Sequence, residues 1–313
     1  MPTRSNGAVP AFWAAEHSVA VLAVLIGSGL TPLRVEDDNK QSLVHVAARC
    51  GNVAALELLF RAHAEEHKVA LARLELLQQK EEGEENPPAK TKGQDLRAPA
   101  RAPGGKSRGS SRHAGGVLSV ADAANRRDRW SRTPVHWASV NCHADALNAL
   151  IGAGASVHGV KMPLGKHRKK THLRQQPPLH LAADPSNHRG EPGRLEALRV
   201  LLGAGADPNE QDEGGNTALH AAAGALPYEL SAVEEPHTDR SYRAYDAELA
   251  ARCAVACTLL LDAGASPTLV DEEGRTAAQV AMAVGNEEAA RILGGVADHL
   301  WLKRKLSSET PVR

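Results

Sequence analysis

Residues 212–220 read DEGGNTALH and combine two local signals within one short stretch. An Asp followed by paired glycines is typical of a turn, because Asp bonds to nearby backbone and Gly adopts turn conformations easily. Thr217 can then cap a helix, since its hydroxyl can accept a hydrogen bond from the unpaired amides of the first turn. The small residues 221–223 follow and allow a second helix to approach closely. The stretch therefore predicts a turn and then a helix that packs tightly against a neighbour.

The same helix opening occurs five times along the chain. The five copies are 42–45, 133–136, 177–180, 217–220 and 276–279, and four of them end in His. Their last residues are 91, 44, 40 and 59 positions apart, which is one unit of 33 residues plus 58, 11, 7 and 26 extra residues. A period of this size indicates a repeat array, in which each unit contacts only its neighbours.

Each unit also contains a second helix and an extended finger. Leu201 and Leu202 form the apolar end of one such helix, and Gly205 can take the left-handed backbone that closes it. Residues 207–211 then lead to the next Asp as a short finger. Only 3% of the chain is aromatic while Ala and Leu are frequent, which favours helices over a sheet core. We therefore expect a nearly all-helical chain.

Residues 128–160 and 203–223 closely resemble the ankyrin-repeat family. The resemblance covers about six units and implies an all-α ankyrin-repeat solenoid of helix-turn-helix and finger units, with long disordered or partly helical insertions. Three turn positions that carry Gly in the family are Lys40, Ser131 and Gln175 here, and Gln279 replaces His. These departures concern individual turns and leave the expected fold unchanged.

The resemblance divides the chain into four parts. They are degenerate N-terminal repeats over 8–67, an insertion over 68–124, four repeats over 125–295 with inserts at 161–171, 184–192 and 225–251, and a C-terminal cap or tail over 296–313. The insertion starts with a helical pattern and becomes rich in Pro, Gly, Ser and Arg, a composition that cannot offset its ordering entropy. Closing the longer loop costs only about 2 kcal/mol. We expect one interrupted solenoid, with two separate arrays as the alternative.

Charge and cysteine usage narrow the functional classes. The 37 basic and 37 acidic residues cancel, which argues against a dedicated nucleic-acid binder and directs attention to local patches. The four cysteines form no CxxC pair, so we expect buried free thiols in a reducing, cytoplasmic or nuclear compartment. The apolar run 19–26 has the length of a signal-peptide core, but the glycines after it favour the outer helix of a first unit. No membrane span is predicted, and we expect a monomer.

Two short motifs suggest an enzyme but lack the context that the chemistry needs. Residues 100–107 fit a relaxed phosphate-binding loop, yet Pro, Gly and Arg flank them where a strand and a helix are required. Residues 63–67 fit the HxxEH zinc spacing without an evident third ligand. The histidine repeated at the helix openings occurs once per unit, so we expect it to bond backbone and not a metal. We predict no catalytic residue, cofactor or metal, with a zinc hydrolase or a nucleotide-binding enzyme as the least favoured alternative.

The favoured function is a non-catalytic scaffold or adaptor that binds a partner polypeptide through a concave surface. In the ankyrin family the contact residues flank the finger tips and the exposed face of the first helix. Carried onto this sequence, and joined by the basic residues of the fourth finger, they are Arg129, Trp130, Arg132, Val140, Asn141, Lys166, Arg168, Lys169, Lys170, Arg174, Glu213, Asn216, Glu272, Glu273 and Arg275. Trp130 is the first residue to test, because an exposed aromatic beside two arginines has hot-spot composition; packing against the neighbouring finger is the alternative.

Charge is unevenly distributed over these units. Basic residues gather in the third and fourth units, at 128–160 and 172–211. Acidic residues gather in the fifth and sixth units, at 212–270 and 271–295. We therefore hypothesise a protein partner with an acidic segment. The alternative is a nucleic-acid or chromatin-associated adaptor that uses the basic finger 161–174, although the lack of interleaved aromatic residues argues against stacking on single strands.

Overall fold

The computed structural model describes residues 10–30, 32, 35–84, 119–158, 176–185, 193–224 and 247–296. Within these ranges the chain is helical, and its extended pairings are two isolated bridges, Glu36 with Ser42 and Val270 with Thr276. The helices are α1 (Pro10–His17), α2 (Val19–Gly27), α3 (Leu43–Arg49), α4 (Val53–Glu84), α5 (Val120–Ala124), α6 (Pro134–Val140), α7 (Ala144–Gly152), α8 (Pro178–Ala183), α9 (Gly193–Gly203), α10 (Ala218–Ala222), α11 (Ala247–Asp262), α12 (Ala277–Ala283) and α13 (287–296).

These helices form stacked hairpins in two rows. The inner row is α1, α3, α6, α8, α10 and α12, and each of these helices contacts the next. The outer row is α2, α4, α7, α9 and α11, with the same succession of contacts. Because these contacts join the two helices of one hairpin or the helices of neighbouring hairpins, the array is a solenoid. The predicted all-α solenoid fold is confirmed.

The hairpins on the two sides of the long insertion stack directly on each other. Helix α3 contacts α6, and helix α4 contacts α7, although 85–118 separate them in sequence. A loop of this length adds little closure cost, so the packing of the two hairpins can outweigh it. The array therefore continues past the insertion.

Helix α4 is much longer than the other outer helices. It runs without interruption from Val53 to Glu84, as the helical pattern after Phe60 predicts. Its first half buries Leu56, Leu59 and His63, whereas Val69 is 69% exposed. The remaining predicted insertions and the tail lie outside the described residues. These insertions are the Pro- and Arg-rich stretch, the basic finger, most of 184–192 and the tyrosine-containing segment before α11.

Small residues form the centre of the stack. Equivalent alanines of four inner helices have no exposed surface, namely Ala47, Ala138, Ala182 and Ala222. The outer helices bury equivalent leucines completely, namely Leu59, Leu150, Leu201 and Leu260. Each buried leucine stabilises the fold by about 1.5–3 kcal/mol, while the alanines allow the two rows to approach closely.

Candidate partner-binding surface

One aspartate organises each described finger turn. The Oδ1 atom of Asp212 accepts hydrogen bonds from the amides of Gly214 at 2.8 Å and Asn216 at 2.9 Å. The amides two and four residues further on make the same bonds at Asp37, Asp128 and Asp271. Bonds from several amides to one carboxylate are strong and directional, so each finger tip has a fixed shape.

The third residue after each of these aspartates lies in the left-handed region. Gly215 and Gly274 occupy it with φ of 73° and 75°, as glycine readily does. Lys40 and Ser131 occupy the same position with φ of 60° and 65°. The two sequence departures therefore keep the family turn, and they do so in a conformation that costs a side-chain-bearing residue about 1–2 kcal/mol.

Histidines at the helix openings join neighbouring hairpins. The Nε2 atom of His45 lies 3.2 Å from the carbonyl oxygen of Arg132, and that of His220 lies 3.1 Å from the carbonyl oxygen of Arg275. A carbonyl only accepts, so Nε2 donates and Nδ1 is left to accept from the capping residue, Ser42 or Thr217. Each of these histidines therefore fixes the next finger relative to its own helix.

Backbone hydrogen bonds also join successive fingers. The amide of Arg129 donates to the carbonyl of Asn39 at 2.7 Å, and the amide of Glu272 donates to the carbonyl of Gly214 at 2.9 Å. Arg129 and Glu272 are each the residue directly after a finger aspartate, so the two contacts are equivalent. The described fingers thus form an ordered edge along the stack.

The third finger, residues 125–132, places Arg132 beside two indole rings, that of Trp130 and that of Trp137 on helix α6. The guanidinium carbon of Arg132 lies 5.0 Å from the ring centre of Trp137 and 6.0 Å from that of Trp130, within range of cation–π attraction. The Nε1 atom of Trp137 donates to Oδ2 of Asp128 at 3.0 Å. Burial raises the pKa of Asp128 and lowers the pKa of Arg132. The opposite charge of each group counteracts the pKa shift of the other. The result is a preorganised finger of mixed aromatic and cationic character.

Solved structures share this arrangement of hairpins. The ankyrin repeat domain from Acinetobacter baumannii AYE has a TM-score of 0.51 and 20% identity, over 92% of this chain and 97% of that chain. The ankyrin repeat domain of Bcl-3, a member of the IkappaB protein family, has a TM-score of 0.50 and 18% identity, over 92% and 82%. A chain from the complex of a predatory endopeptidase of Bdellovibrio bacteriovorus with an immunity protein has a TM-score of 0.50 and 16% identity, over 92% and 98%. These identities establish likeness of fold alone.

A family profile for "Ankyrin repeats (many copies)" matches residues 179–231. The repeat array is therefore of the ankyrin type. The neurogenic locus notch homolog protein 1 of Xenopus laevis is 34% identical over 158 residues, and the human notch homolog protein 2 is 37% identical over 123 residues. These matches cover 48% and 37% of this chain, but only 6% and 5% of the relatives' length, so the similarity is confined to a small part of each relative.

The ankyrin surface contains most of the predicted contact residues that the structure describes. Four of them are exposed, namely Arg129, Glu213, Glu272 and Glu273. Five are half-buried, namely Trp130, Arg132, Val140, Asn141 and Arg275. The basic residues Lys166, Arg168, Lys169, Lys170 and Arg174 lie outside the described residues, and so does the finger on which the nucleic-acid alternative depends. Trp130 is thus neither fully exposed nor fully buried, and its ring centre lies 6.0 Å from the guanidinium carbon of Arg132.

Asn216 differs from the other predicted contact residues because its side chain is internal. Only 4% of Asn216 is exposed, and its Nδ2 atom donates to the two carboxylate oxygens of Asp212 at 3.2 and 3.3 Å. Its carbonyl oxygen lies 2.9 Å from Nε2 of His180. Asn216 therefore stabilises the finger turn and its contact with the preceding hairpin, and we leave it out of the partner-binding surface.

Sequence reasoning missed two asparagines at the base of the fingers. The side chain of Asn125 donates to the carbonyl of Gly154 at 2.9 Å and accepts from the amide of Ser156 at 2.8 Å. Asn209 makes the equivalent bonds to Gly264 and Ser266 at 3.0 and 2.7 Å. Both asparagines stand three residues before a finger aspartate, and this repeated spacing is the signal that could have identified them.

Of the two enzyme motifs, the structure describes the HxxEH segment at 63–67. Across those ranges, no group of three or more His, Cys, Asp or Glu residues is placed to hold a metal ion. His63 of the HxxEH motif is only 2% exposed, and burial lowers its pKa to about 4. The phosphate-loop motif at 100–107 lies outside the described residues.

None of the described helices has both the length and the apolar composition needed to cross a membrane.

Proposed function

We propose that this protein is a non-catalytic scaffold or adaptor that binds another polypeptide through its finger tips and the exposed faces of its inner helices. The third finger carries the proposal. Its aspartate, its two indoles and Arg132 are held by fixed contacts, so a partner can bind without ordering them. Preorganisation of this kind increases affinity, because little conformational entropy is lost on binding.

The composition of the third finger supports a partner with an acidic segment. Arg129 is exposed directly beside Trp130, and aromatic residues and arginines are enriched at the centres of protein interfaces. Arg127 is exposed on the same turn. Arginine binds carboxylates in a two-pronged geometry, so acidic side chains are the chemistry that this finger recognises best.

The cysteines are consistent with the proposed reducing compartment, cytoplasm or nucleus. All four cysteines are free, and Cys142, Cys253 and Cys257 are buried, whereas Cys50 is half-buried. Burial raises the pKa of Cys257 to about 12, so its thiol stays protonated and unreactive. We also propose that the array acts as a monomer.

Partner capture tests the proposed function. The immobilised protein is incubated with extract of the native cell, and bound proteins are identified by mass spectrometry. Arg129→Glu reverses the exposed charge of the third finger, while Arg199→Glu reverses a charge on outer helix α9 whose side chain is 57% exposed. We expect Arg129→Glu to lose a partner that Arg199→Glu retains. Identical captured proteins for both variants and the wild type would overturn the proposal.

A further inference from the structure

The third finger has the opposite charge to the fifth and sixth fingers. Residues 125–132 of the third finger contain four arginines and one acid, Asp128, which is buried. Arg126 is paired with Glu36 of the neighbouring second finger, so Arg127 and Arg129 are the exposed basic residues. Residues 209–216 and 270–275 of the fifth and sixth fingers contain six acids, of which Asp212 and Asp271 are buried, and one arginine, Arg275. That arginine is paired with Asp271 and Glu273, so it does not reverse the sign of its finger.

Equivalent positions carry these opposite charges. Arg129, Glu213 and Glu272 each follow a finger aspartate directly, and all three are exposed. Because the fingers are built on the same turn, their side chains leave the stack from corresponding points. The basic and acidic patches therefore belong to one surface.

The two patches are too far apart to neutralise each other. Packed helices lie about 8–10 Å apart, so two to three hairpin spacings separate the third finger from the fifth and sixth by roughly 16–30 Å. Salt screens exposed charges beyond about 8 Å at physiological ionic strength. Each patch therefore presents its own sign to whatever binds along the fingers.

We infer that the partner of the proposed binding function is a polypeptide segment with separated charges, acidic where it meets the third finger and basic where it meets the fifth and sixth. This inference depends on the proposed function and specifies its ligand. An extended chain covers at most about 3.3–3.6 Å per residue, so the two charged parts are separated by at least about five to nine residues. A segment with the wrong order of charges meets like charges at both ends, which suppresses binding.

Composition-matched peptides test the inference. Two block peptides carry five Glu and five Lys separated by a neutral spacer, in the two possible orders, and a third peptide alternates the same Glu and Lys residues. Binding is followed by fluorescence anisotropy at low and physiological salt. We expect at least one block peptide to bind tenfold or more tightly than the alternating peptide. Equal affinity of all three peptides would overturn the inference.

Charge reversal in the protein provides the matched control. Arg127→Glu with Arg129→Glu reverses the basic end, and Glu213→Lys with Glu272→Lys reverses the acidic end. Each double variant should bind the preferred block peptide at least tenfold more weakly. The fourfold variant should bind the block peptide of opposite order with the original affinity, because that peptide again meets opposite charges at both ends. Failure of the fourfold variant to do so, with an unchanged circular dichroism spectrum, would contradict the inference.

The same variants separate this inference from the proposed function. Loss of partner capture in Arg129→Glu without any preference for block peptides would refute separated charges and leave the binding function standing. Unchanged partner capture in Arg129→Glu, together with equal affinity for all three peptides, would refute both the binding function and the separated charges. If sedimentation shows a dimer that both double variants disrupt and that block peptides do not compete with, a second copy of the chain occupies the surface and the inference is wrong.

Discussion

Pro177 leaves the Nδ1 atom of His180 without a hydrogen-bond partner, although no part of His180 is exposed. In the preceding hairpin, Nδ1 of His136 lies 3.1 Å from the amide and 2.8 Å from the hydroxyl of Thr133. Proline has neither an N–H nor a hydroxyl, so the fourth hairpin, which consists of α8 and α9, lacks both bonds. The contact from Nε2 of His180 to the next finger is nevertheless kept.

Restoring the missing donors should stabilise the array. Pro177→Thr recreates the Thr-Pro opening of the third hairpin and gives the buried Nδ1 atom a partner, a gain of about 1–3 kcal/mol. Losing the rigidity of proline in the unfolded chain costs about 0.4–1 kcal/mol, so we expect a net gain of about 1 kcal/mol. Urea unfolding followed by circular dichroism measures the change. Pro177→Ala is the control, because it restores an amide without the hydroxyl and should gain less.

The buried histidines should make the array sensitive to acid. Burial lowers the pKa of His45 to about 4 and that of His136 to about 3, and it lowers the pKa values of His180 and His220. Because these folded-state values lie below the ordinary 6.5, the stabilisation is complete above pH 6.5 and is lost as pH falls towards 4. His45 and His136 should each contribute a slope of about 1.4 kcal/mol per pH unit within that window, and His180 and His220 should act in the same direction. Urea unfolding at several pH values between 4 and 8 measures it.

Gln279 suggests the matched variant for this pH dependence. At the same position of the last hairpin, its Oε1 atom accepts from the amide of Thr276 at 2.9 Å. His45→Gln should keep the equivalent bond to Ser42 while removing one titrating group, so the slope should fall by the contribution of one proton. An unchanged slope in His45→Gln would show that His45 is not among the groups responsible.

Replacing a strained finger residue by glycine should stabilise its turn. Lys40 has φ of 60° and is exposed, so Lys40→Gly removes strain without removing a buried contact. The relief of about 1–2 kcal/mol exceeds the entropic cost of glycine, about 0.5–1 kcal/mol, and we expect a gain of about 0.5–1 kcal/mol in unfolding free energy. Asp38→Gly is the control, because Asp38 has no left-handed backbone to relieve.

The opposite change, Gly215→Ala, should destabilise, since its Cβ atom would lie 3.0 Å from the amide nitrogen of Glu272.

Most of the fold follows from local sequence signals. Helix openings, small inner residues and glycine stops recur in phase, and each has a local physical cause, so the hairpins could be predicted without knowing their neighbours. The contact between α3 and α6 across the long insertion agrees with the expected single array, but the sequence left two separate arrays open, because closure entropy grows too slowly with loop length to distinguish them.

The candidate surface was less predictable because burial depends on neighbouring hairpins. Position alone suggested that Asn216 is exposed, but its side chain turns back to Asp212. Trp137 was not selected, yet it stacks on Arg132 and bonds to Asp128, nine residues earlier in sequence. Only the folded finger brings these groups together, so no spacing rule could identify them.

Trp137 links the stability of the third finger to its proposed function. Trp137→Phe keeps an aromatic ring beside Arg132 but removes the N–H that donates to the buried carboxylate of Asp128, which should cost about 1–3 kcal/mol. The exposed charges of the finger stay the same, so any loss of partner capture reports the loosened turn. Trp13→Phe is the control, because Trp13 is 57% exposed on α1. We expect Trp137→Phe to lower both the urea midpoint and the affinity, and Trp13→Phe to change neither. A lower midpoint with unchanged affinity would show that the partner does not require a preorganised third finger.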